Sequence, residues 1–478
     1  MSDIALNWID GEWQSSEHIS TSVNPANGTV VGAFADGGLA EADAGIAAAS
    51  RAFRAGTWAH DRTLRHKVLA ALADRFDDRA AELVRLLSSE NGKTLFEAEL
   101  EVGLAVRTLR YGAAQALTGT GISAEVSPGT FFSTLAEPAG VVAVIVPWNA
   151  PLALFTRSLA PALAAGNTVV AKLPAQTALS NALVSEIIAS IADLPKGVVN
   201  IFTESGNAGA PRLVDSPDVA VVSYTGSVSV GKKVGAAAGA TLKRVNLELG
   251  GKSPMVVFDD ADLDTTLPWL VRGLTVTAGQ FCMAGTRILV QRGIAHVVRD
   301  RLAHALAEVR VGPGDDPGTE MGPLIDKAAV ERVEALVQAA LLYAKPIVRG
   351  GPVTEGPLAA GAFYRPALFE VDDVDVPLVQ QEIFAPVATF EVFDDEADAL
   401  RLANATEFGL AAAVFTRDGA RARRVSRGID AGTVWTNSYF ALDDGFAEGG
   451  YKSSGVGRLR GPLGLAEFQE AKTYVEVV

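Results

Sequence analysis

Cysteine, histidine, positive charge and long apolar runs are all scarce in this chain, and each shortage removes a class of function. One cysteine in 478 residues rules out an internal disulfide and a four-cysteine zinc site. The five histidines, at 18, 60, 66, 296 and 304, show no metal-ligand spacing, so no metal is expected. No run of 18 apolar residues reads as a bilayer span. The N-terminus, Met1-Ser2-Asp3-Ile4-Ala5-Leu6-Asn7-Trp8, lacks the basic and apolar regions of a signal peptide. Against 56 acidic residues stand only 41 Lys and Arg, a net charge of −15. That balance argues against sequence-independent binding of nucleic acid and against an anionic membrane surface as partner. A soluble, cytoplasmic protein is expected. What is present, 49% apolar and 20% charged residues over a chain too long for one core, implies two or three packed domains.

The lone thiol sits in Gly279-Gln280-Phe281-Cys282-Met283-Ala284-Gly285-Thr286-Arg287, a predicted loop between a helical run and the apolar strand Ile288-Leu289-Val290. A lone cysteine is most often a buried small hydrophobe, but loop placement after a regular element is where reactive side chains are presented. Upstream lie Glu248-Leu249-Gly250-Gly251, an acid beside two glycines, and Pro147-Trp148-Asn149-Ala150-Pro151, an amide between prolines. A surface carboxylate and a turn former are the bland readings of Glu248 and Asn149. Together with Cys282 they supply a nucleophile, a base and an oxyanion donor, the cast for acyl chemistry at sulfur.

The alternation of elements supports that grouping. The first 40 residues read as short strands and turns, and Ala40 to about Leu117 as a packed helical layer without evident chemistry. Strands are expected at 141–146, 168–171, 198–202, 219–224 and 244–247, with helices at 152–165, 178–192 and 228–238 between them. Such βαβα order implies a parallel sheet covered on both faces, with ligands at the carboxyl ends of its strands. Asn149, Lys172, Gly226, Ser227 and Glu248 then fall just past strands, on one rim. A second α/β unit follows, with strands at 255–258, 287–291, 387–393 and 433–436 and helices near 263–278, 294–308 and 327–341. Thr130–Leu135 and Thr473–Val478 read as strands whose open edges pair with another subunit.

Gly226-Ser-Val-Ser-Val-Gly231-Lys232-Lys233 nearly spells a phosphate-binding P-loop, but Lys233 replaces the hydroxyl residue that holds Mg²⁺. Backbone N–H groups at a strand-to-helix turn still suit a dinucleotide pyrophosphate. No Gly-x-Gly-x-x-Gly follows a strand, and on motif grounds the reading stops at a nucleotide-type anion site.

Taken in order, the motifs resemble the aldehyde dehydrogenase superfamily over nearly the whole chain. They are Pro147-Trp148-Asn149, Lys172, Tyr224-Thr225-Gly226-Ser227, Glu248-Leu249-Gly250-Gly251-Lys252, Gly279-Gln280-x-Cys282 and Glu382-Ile383-Phe384-Ala385-Pro386-Val387. Asn404, Gly409-Leu410-Ala411, Gly432-x-Val434-Trp435-x-Asn437 and Gly449-Gly450-x-Lys452-x-Ser454-Gly455 follow. The resemblance implies an α/β fold with a Rossmann-like cofactor domain (1–117 and 138–250), an α/β catalytic domain (251–450) and a β oligomerisation arm (118–137 and 460–478). It implies oxidation of an aldehyde to the carboxylate with NAD or NADP, through a cysteine thiohemiacetal and thioester, in a homodimer or homotetramer. Cys282 would be the nucleophile, Asn149 an oxyanion donor and Glu248 the base. Lys172 and Glu382 would hold cofactor ribose hydroxyls, Trp148, Gly226 and Ser227 would meet the pyrophosphate, Leu249 would line the same site, and Phe384 would pack by the nicotinamide ribose. Where NAD-preferring members carry a ribose-binding glutamate stands Ala175, which admits NADP. Two further departures are Glu448, which brings a charge near the catalytic region in place of a phenylalanine, and Ala385 in place of a glycine. Leu154, Arg157, Phe281 and Met283 would line the substrate entry, favouring an apolar or aromatic aldehyde. Arg157 matches a carboxylate-binding arginine of succinate-semialdehyde dehydrogenases, but their second arginine is Val276 here, which disfavours a dicarboxylate semialdehyde. The alternatives are a CoA-acylating semialdehyde dehydrogenase, which Glu248 argues against, a P-loop hydrolase, and a non-catalytic nucleotide-binding scaffold.

Overall fold

The computed structural model describes residues 4–119 and 121–478; Met1, Ser2 and Asp3 of the N-terminal stretch, and Thr120 of the proposed arm, lie outside the described residues. Two sheets organise the molecule. The first has eight strands, in the order Gly455–Val456, Arg244–Glu248, Val219–Thr225, Val141–Ile145, Thr168–Pro174, Val199–Glu204, Asn7–Ile9 and Glu12–Gln14. Its five middle strands run parallel, and Val141–Ile145 at the centre is buried at every residue. A strand covered on both faces needs a continuous apolar run rather than alternation, and the sequence Val-Val-Ala-Val-Ile meets that need.

The second sheet has seven strands, ordered Lys345–Val348, Ala367–Glu370, Val387–Phe393, Arg287–Gln291, Pro254–Val257, Ala411–Phe415 and Thr433–Thr436. All its pairings are parallel except that of Lys345–Val348 with Ala367–Glu370. Ala411–Phe415 was not expected as a strand; Ala-Ala-Ala favours helix on propensity, and complete burial between two neighbours overrides it. The chain crosses from the first sheet to the second through Gly250–Ser253, so Glu248 and Cys282 hang from adjoining sheets.

Two expectations require correction. The helix expected to 278 ends at Thr275, because Thr277, Ala278 and Gly279 all turn left-handed, at φ 49°, 52° and 70°. Thr130–Pro138 is also not an open edge. It is the middle strand of a three-stranded sheet, paired with Gly121–Ser127 on one side and Gln469–Val477 on the other, so only the two outer strands present edges.

Among the described residues no helix is long and apolar enough to cross a membrane.

Candidate active site

The cysteine loop is held from behind by the helix Leu95–Leu117. Thr277 donates its N–H to Glu97 Oε1 at 2.6 Å, which anchors the left-handed turn. A non-glycine residue in that conformation costs about 1–2 kcal/mol, so the buried carboxylate offsets part of the strain. Gln280 then points inward; its Oε1 accepts from the Ile325 N–H at 2.9 Å and its Nε2 donates to the Thr277 carbonyl at 3.1 Å. Gly279 packs directly on the Ala385 backbone, where any Cβ would collide. Glycine at 279 is therefore required by the backbone of the Ala385–Pro386 segment.

Asn149 leaves the first sheet just after Val141–Ile145 and precedes the helix Pro151–Ala165. Its Nδ2 donates to the Gln280 carbonyl at 3.1 Å, which brings the amide to the cysteine loop and leaves one N–H for a ligand. One helical turn from Glu97, Glu101 accepts from the N–H groups of Leu152 and Ala153 at 2.9 and 3.3 Å and pairs with buried Lys93. The same helix thus braces both the amide and the turn before the thiol.

Glu248 ends its strand almost wholly buried, and its Oε1 has no hydrogen-bond partner among the described residues. Burial pushes its carboxyl up to about 8; Arg157 opposes that shift, and Glu448 reinforces it. The Cys282 thiol is pushed up to about 12 by burial, with Arg157 the main opposing charge. Burial therefore favours the protonated form of both groups, with Glu248 almost wholly buried and Cys282 half-buried.

Arg157 and Glu448 form a buried ion pair at 2.5 Å. Arg157 Nη2 also donates to Thr225 Oγ1 at 3.0 Å, while Arg460 Nε donates to the far oxygen of Glu448 at 2.6 Å. Arg460 in turn pairs with Asp444. The charge whose role the sequence left open is the middle of a row of alternating signs.

Aromatic rings gather on the other flank. Phe281 and Phe440 meet at 5.5 Å between centroids, Tyr439 and Phe440 at 4.5 Å, and Trp435 and Tyr439 at 4.6 Å. Tyr439 Oη donates to the Met283 carbonyl at 2.7 Å. The Met283 side chain is buried with Met255 and Trp435 in the core of the second sheet. It backs the loop from the core, a different place from the entry wall expected for it. Leu154 is buried in the core of the first sheet.

On the opposite side, Gly226 donates its N–H to the Glu248 carbonyl at 3.0 Å, and Ser227 caps the helix Val228–Ala240, accepting from Val230 N–H at 3.4 Å. The Leu249 side chain lies where a Cβ on Gly231 would stand. Lys172 is inside the strand Thr168–Pro174, not beyond it; burial lowers its pKa, and Glu204 and Asp36 oppose that. Ala175 opens the turn that follows that strand. Trp148 and Phe384 meet edge to face at 5.8 Å, and Asn91 donates to the Trp148 carbonyl at 3.0 Å. Glu382 lies over Gly250, where a Cβ would collide, accepts from Gly251 N–H at 3.1 Å, and is pushed up to about 7 by burial. A serine-capped helix N-terminus, a half-buried lysine and a carboxylate near neutrality fit a dinucleotide's pyrophosphate and ribose hydroxyls. The P-loop reading does not hold. Lys232 reaches away from the turn to Glu407 at 3.2 Å on the surface, and Lys233 is within the helix.

Residues 12–474 match the family model described as the aldehyde dehydrogenase family. The chain belongs to the aldehyde dehydrogenase family. It is 37% identical over 471 residues to the betaine aldehyde dehydrogenase of Bacillus subtilis (strain 168), covering 97% of this chain and 96% of that one. To the phenylacetaldehyde dehydrogenase of Pseudomonas fluorescens it is 35% identical over 478 residues, covering 98% and 95%. A solved structure of betaine aldehyde dehydrogenase from Staphylococcus aureus in complex with NAD+ superimposes with a TM-score of 0.96 at 34% identity, covering 99% of this chain and 95% of that one. The protein is an NAD(P)-dependent aldehyde dehydrogenase that oxidises aldehydes to acids.

Glu97, Glu101 and Asn91 were missed at the sequence level. Glu97 and Glu101 are spaced i and i+4, so they share a helix face, and a carboxylate pair facing inward would have been the only signal. The buried Lys252 Nζ has no partner among the described residues, and burial pushes it down to about 7.

Proposed function

We propose that this dehydrogenase oxidises apolar or aromatic aldehydes by covalent catalysis at Cys282. The observation that carries the reading is the buried, unpartnered Glu248 oxygen, together with an Asn149 amide bonded into the cysteine loop. The Cys282 thiol first gives up its proton to solvent water, so Glu248 is left as carboxylate for the later hydrolysis. The Cys282 thiolate attacks the carbonyl carbon, forming a C–S bond as the C=O electrons move to oxygen. The Asn149 side-chain N–H and the Cys282 backbone N–H hold that oxyanion, and one such donor is typically worth roughly 3 kcal/mol. NAD or NADP, when bound, accepts the hydride from this carbon. Glu248 then takes a proton from water, hydroxide adds to the thioester, and the C–S bond breaks to release carboxylate and the Cys282 thiolate. Gly226, Ser227 and Trp148 would meet the cofactor pyrophosphate, Lys172 and Glu382 its ribose hydroxyls, and Leu249 and Phe384 the flanking walls; Ala175 leaves room for a 2′-phosphate.

The ring cluster of Phe281, Phe440 and Tyr439 supports the apolar substrate class. Glu248 weighs against a CoA-acylating relative, because a deacylating base would lose the thioester to water, and the full set of Cys282, Glu248 and Asn149 weighs against a non-catalytic scaffold.

The same reading assigns 1–117 and 138–250 to cofactor binding, 251–450 to catalysis, and 118–137 with 460–478 to a homodimer or homotetramer contact in the cytoplasm. Exposed Ile122, Val126, Val475 and Val477 on the outer strands support an assembly face.

The test is NADH and NADPH formation with a panel of aliphatic, aromatic and carboxylated aldehydes, using wild type and Cys282→Ala. Turnover of aromatic or long-chain aldehydes, lost in Cys282→Ala while cofactor still binds, is expected. Turnover by the variant would contradict the mechanism.

A further inference from the structure

Arg157 is the cation of the catalytic centre. It lies in the helix that begins two residues after Asn149, bonds Thr225 beside Gly226, and supplies the main opposing charge to both the thiol and Glu248. A guanidinium in such a place would ordinarily be a docking point for a substrate acid, since a planar fork of donors pairs two-pronged with carboxylate. Here that position is already filled. Glu448 Oε1 meets Arg157 Nη1 at 2.5 Å, and Glu448 Oε2 accepts from Arg460 Nε at 2.6 Å. Arg460 is itself tied to Asp444, which accepts from Thr108 Oγ1 at 2.7 Å. Glu448 is therefore fixed at both oxygens, and it cannot swing away from Arg157 without leaving Arg460 half paired.

We infer that Glu448 is a specificity-determining positioning residue: by occupying Arg157 from within the protein, it denies that guanidinium to a carboxylate on the substrate and restricts the enzyme to aldehydes without a distal acid. The inference rests on the function proposed above and names the substrate class of the same site. A substrate carboxylate entering the wild-type site would meet a neutralised arginine and the like charge of Glu448, and like-charge juxtaposition is the usual means of excluding a wrong partner. Removing the Glu448 charge leaves two arginines facing Asp444 and Glu248. An incoming carboxylate would then meet an Arg157 without its ion-pair partner and without the like charge of Glu448 beside it.

The groups facing Glu248 are Arg157 from the helix, Glu448, Arg458 and Arg460 from the C-terminal segment, and Cys282 from its loop. Loss of Glu448 removes a charge that holds Glu248 protonated and frees one that favours its ionised form. Both changes act in the same direction, so the rising limb of the pH–rate profile should move to lower pH.

The experiment compares kcat/KM for benzaldehyde and 4-carboxybenzaldehyde in wild type, Glu448→Gln and Glu448→Asp. Wild type should favour benzaldehyde by about tenfold or more. Glu448→Gln should shrink or invert that ratio by a similar factor, through a lower KM for the carboxylated substrate, and its pH limb should shift down. Glu448→Asp keeps the charge and should keep the wild-type preference. Equal losses on both substrates in Glu448→Gln, with the ratio and pH limb unmoved, would reduce Glu448 to a structural role and overturn the inference. So would a wild-type enzyme that takes both substrates equally, an outcome readable even if the variants do not fold. Silence of wild type on both aldehydes would instead bring down the underlying function.

Discussion

Gly251 lies against the carbonyl of Cys282: a Cβ on Gly251 would stand 2.5 Å from that oxygen. The contact joins the strand end that carries Glu248 to the loop that carries the thiol, three residues from one and none from the other. Glu248 and Cys282, carried by different sheets, are held close by the missing side chain. Gly251→Ala should push the cysteine loop away, costing about 1–3 kcal/mol of stability through overpacking. It should lower kcat far more than it weakens cofactor binding. Steady-state kinetics beside a cofactor titration would check this, and an unchanged kcat would mean that the contact sets nothing.

Glu97 holds the strained turn at Thr277 and also caps its own helix through Thr94 N–H at 3.0 Å. Glu97→Ala leaves a buried N–H without a partner, a loss of roughly 1–3 kcal/mol, and lets the left-handed turn relax. The expected result is a lower denaturation midpoint and a reduced kcat with NAD(P) binding retained. If stability falls but kcat stands, the turn holds its shape without the carboxylate.

Much of this architecture is legible in the sequence, and the failures have physical causes. Val141–Ile145 and the middle of Arg287–Gln291, Ile288-Leu289-Val290, are readable because a doubly covered parallel strand must be continuously apolar. Glu248 and Asn149 can be placed from the sequence because each closes or follows an apolar strand, and Cys282 because its loop precedes another. The roles of Glu97 and Glu101 are not, since their partners, Thr277 and the Leu152–Ala153 turn, lie far along the chain and leave no local pattern. Glu448 shows in the sequence as a misplaced charge, but its meaning depends on Arg157 and Arg460, which only the fold brings to it. The end of the helix at Thr275 is hidden for a related reason: Thr277 and Ala278 carry no glycine signal for their positive φ, and tertiary anchoring imposes it.

With Glu248 pushed up to about 8, only about a tenth of it is carboxylate at pH 7. A base of that kind gains activity as pH rises through its pKa and loses it below. The hydrolytic rate should therefore climb close to tenfold per unit below pH 8 and level off above it. A pH–rate profile of kcat flat from 6 to 9 would show that Glu248 does not limit turnover as a base.

The most direct test of the central chemistry is intact-protein mass spectrometry of Glu248→Gln after mixing with benzaldehyde and NAD(P). Covalent catalysis at Cys282 with deacylation by Glu248 requires a benzoyl adduct that accumulates and maps to Cys282 after digestion. Steady-state turnover equal to wild type, with no adduct on the thiol, would contradict it.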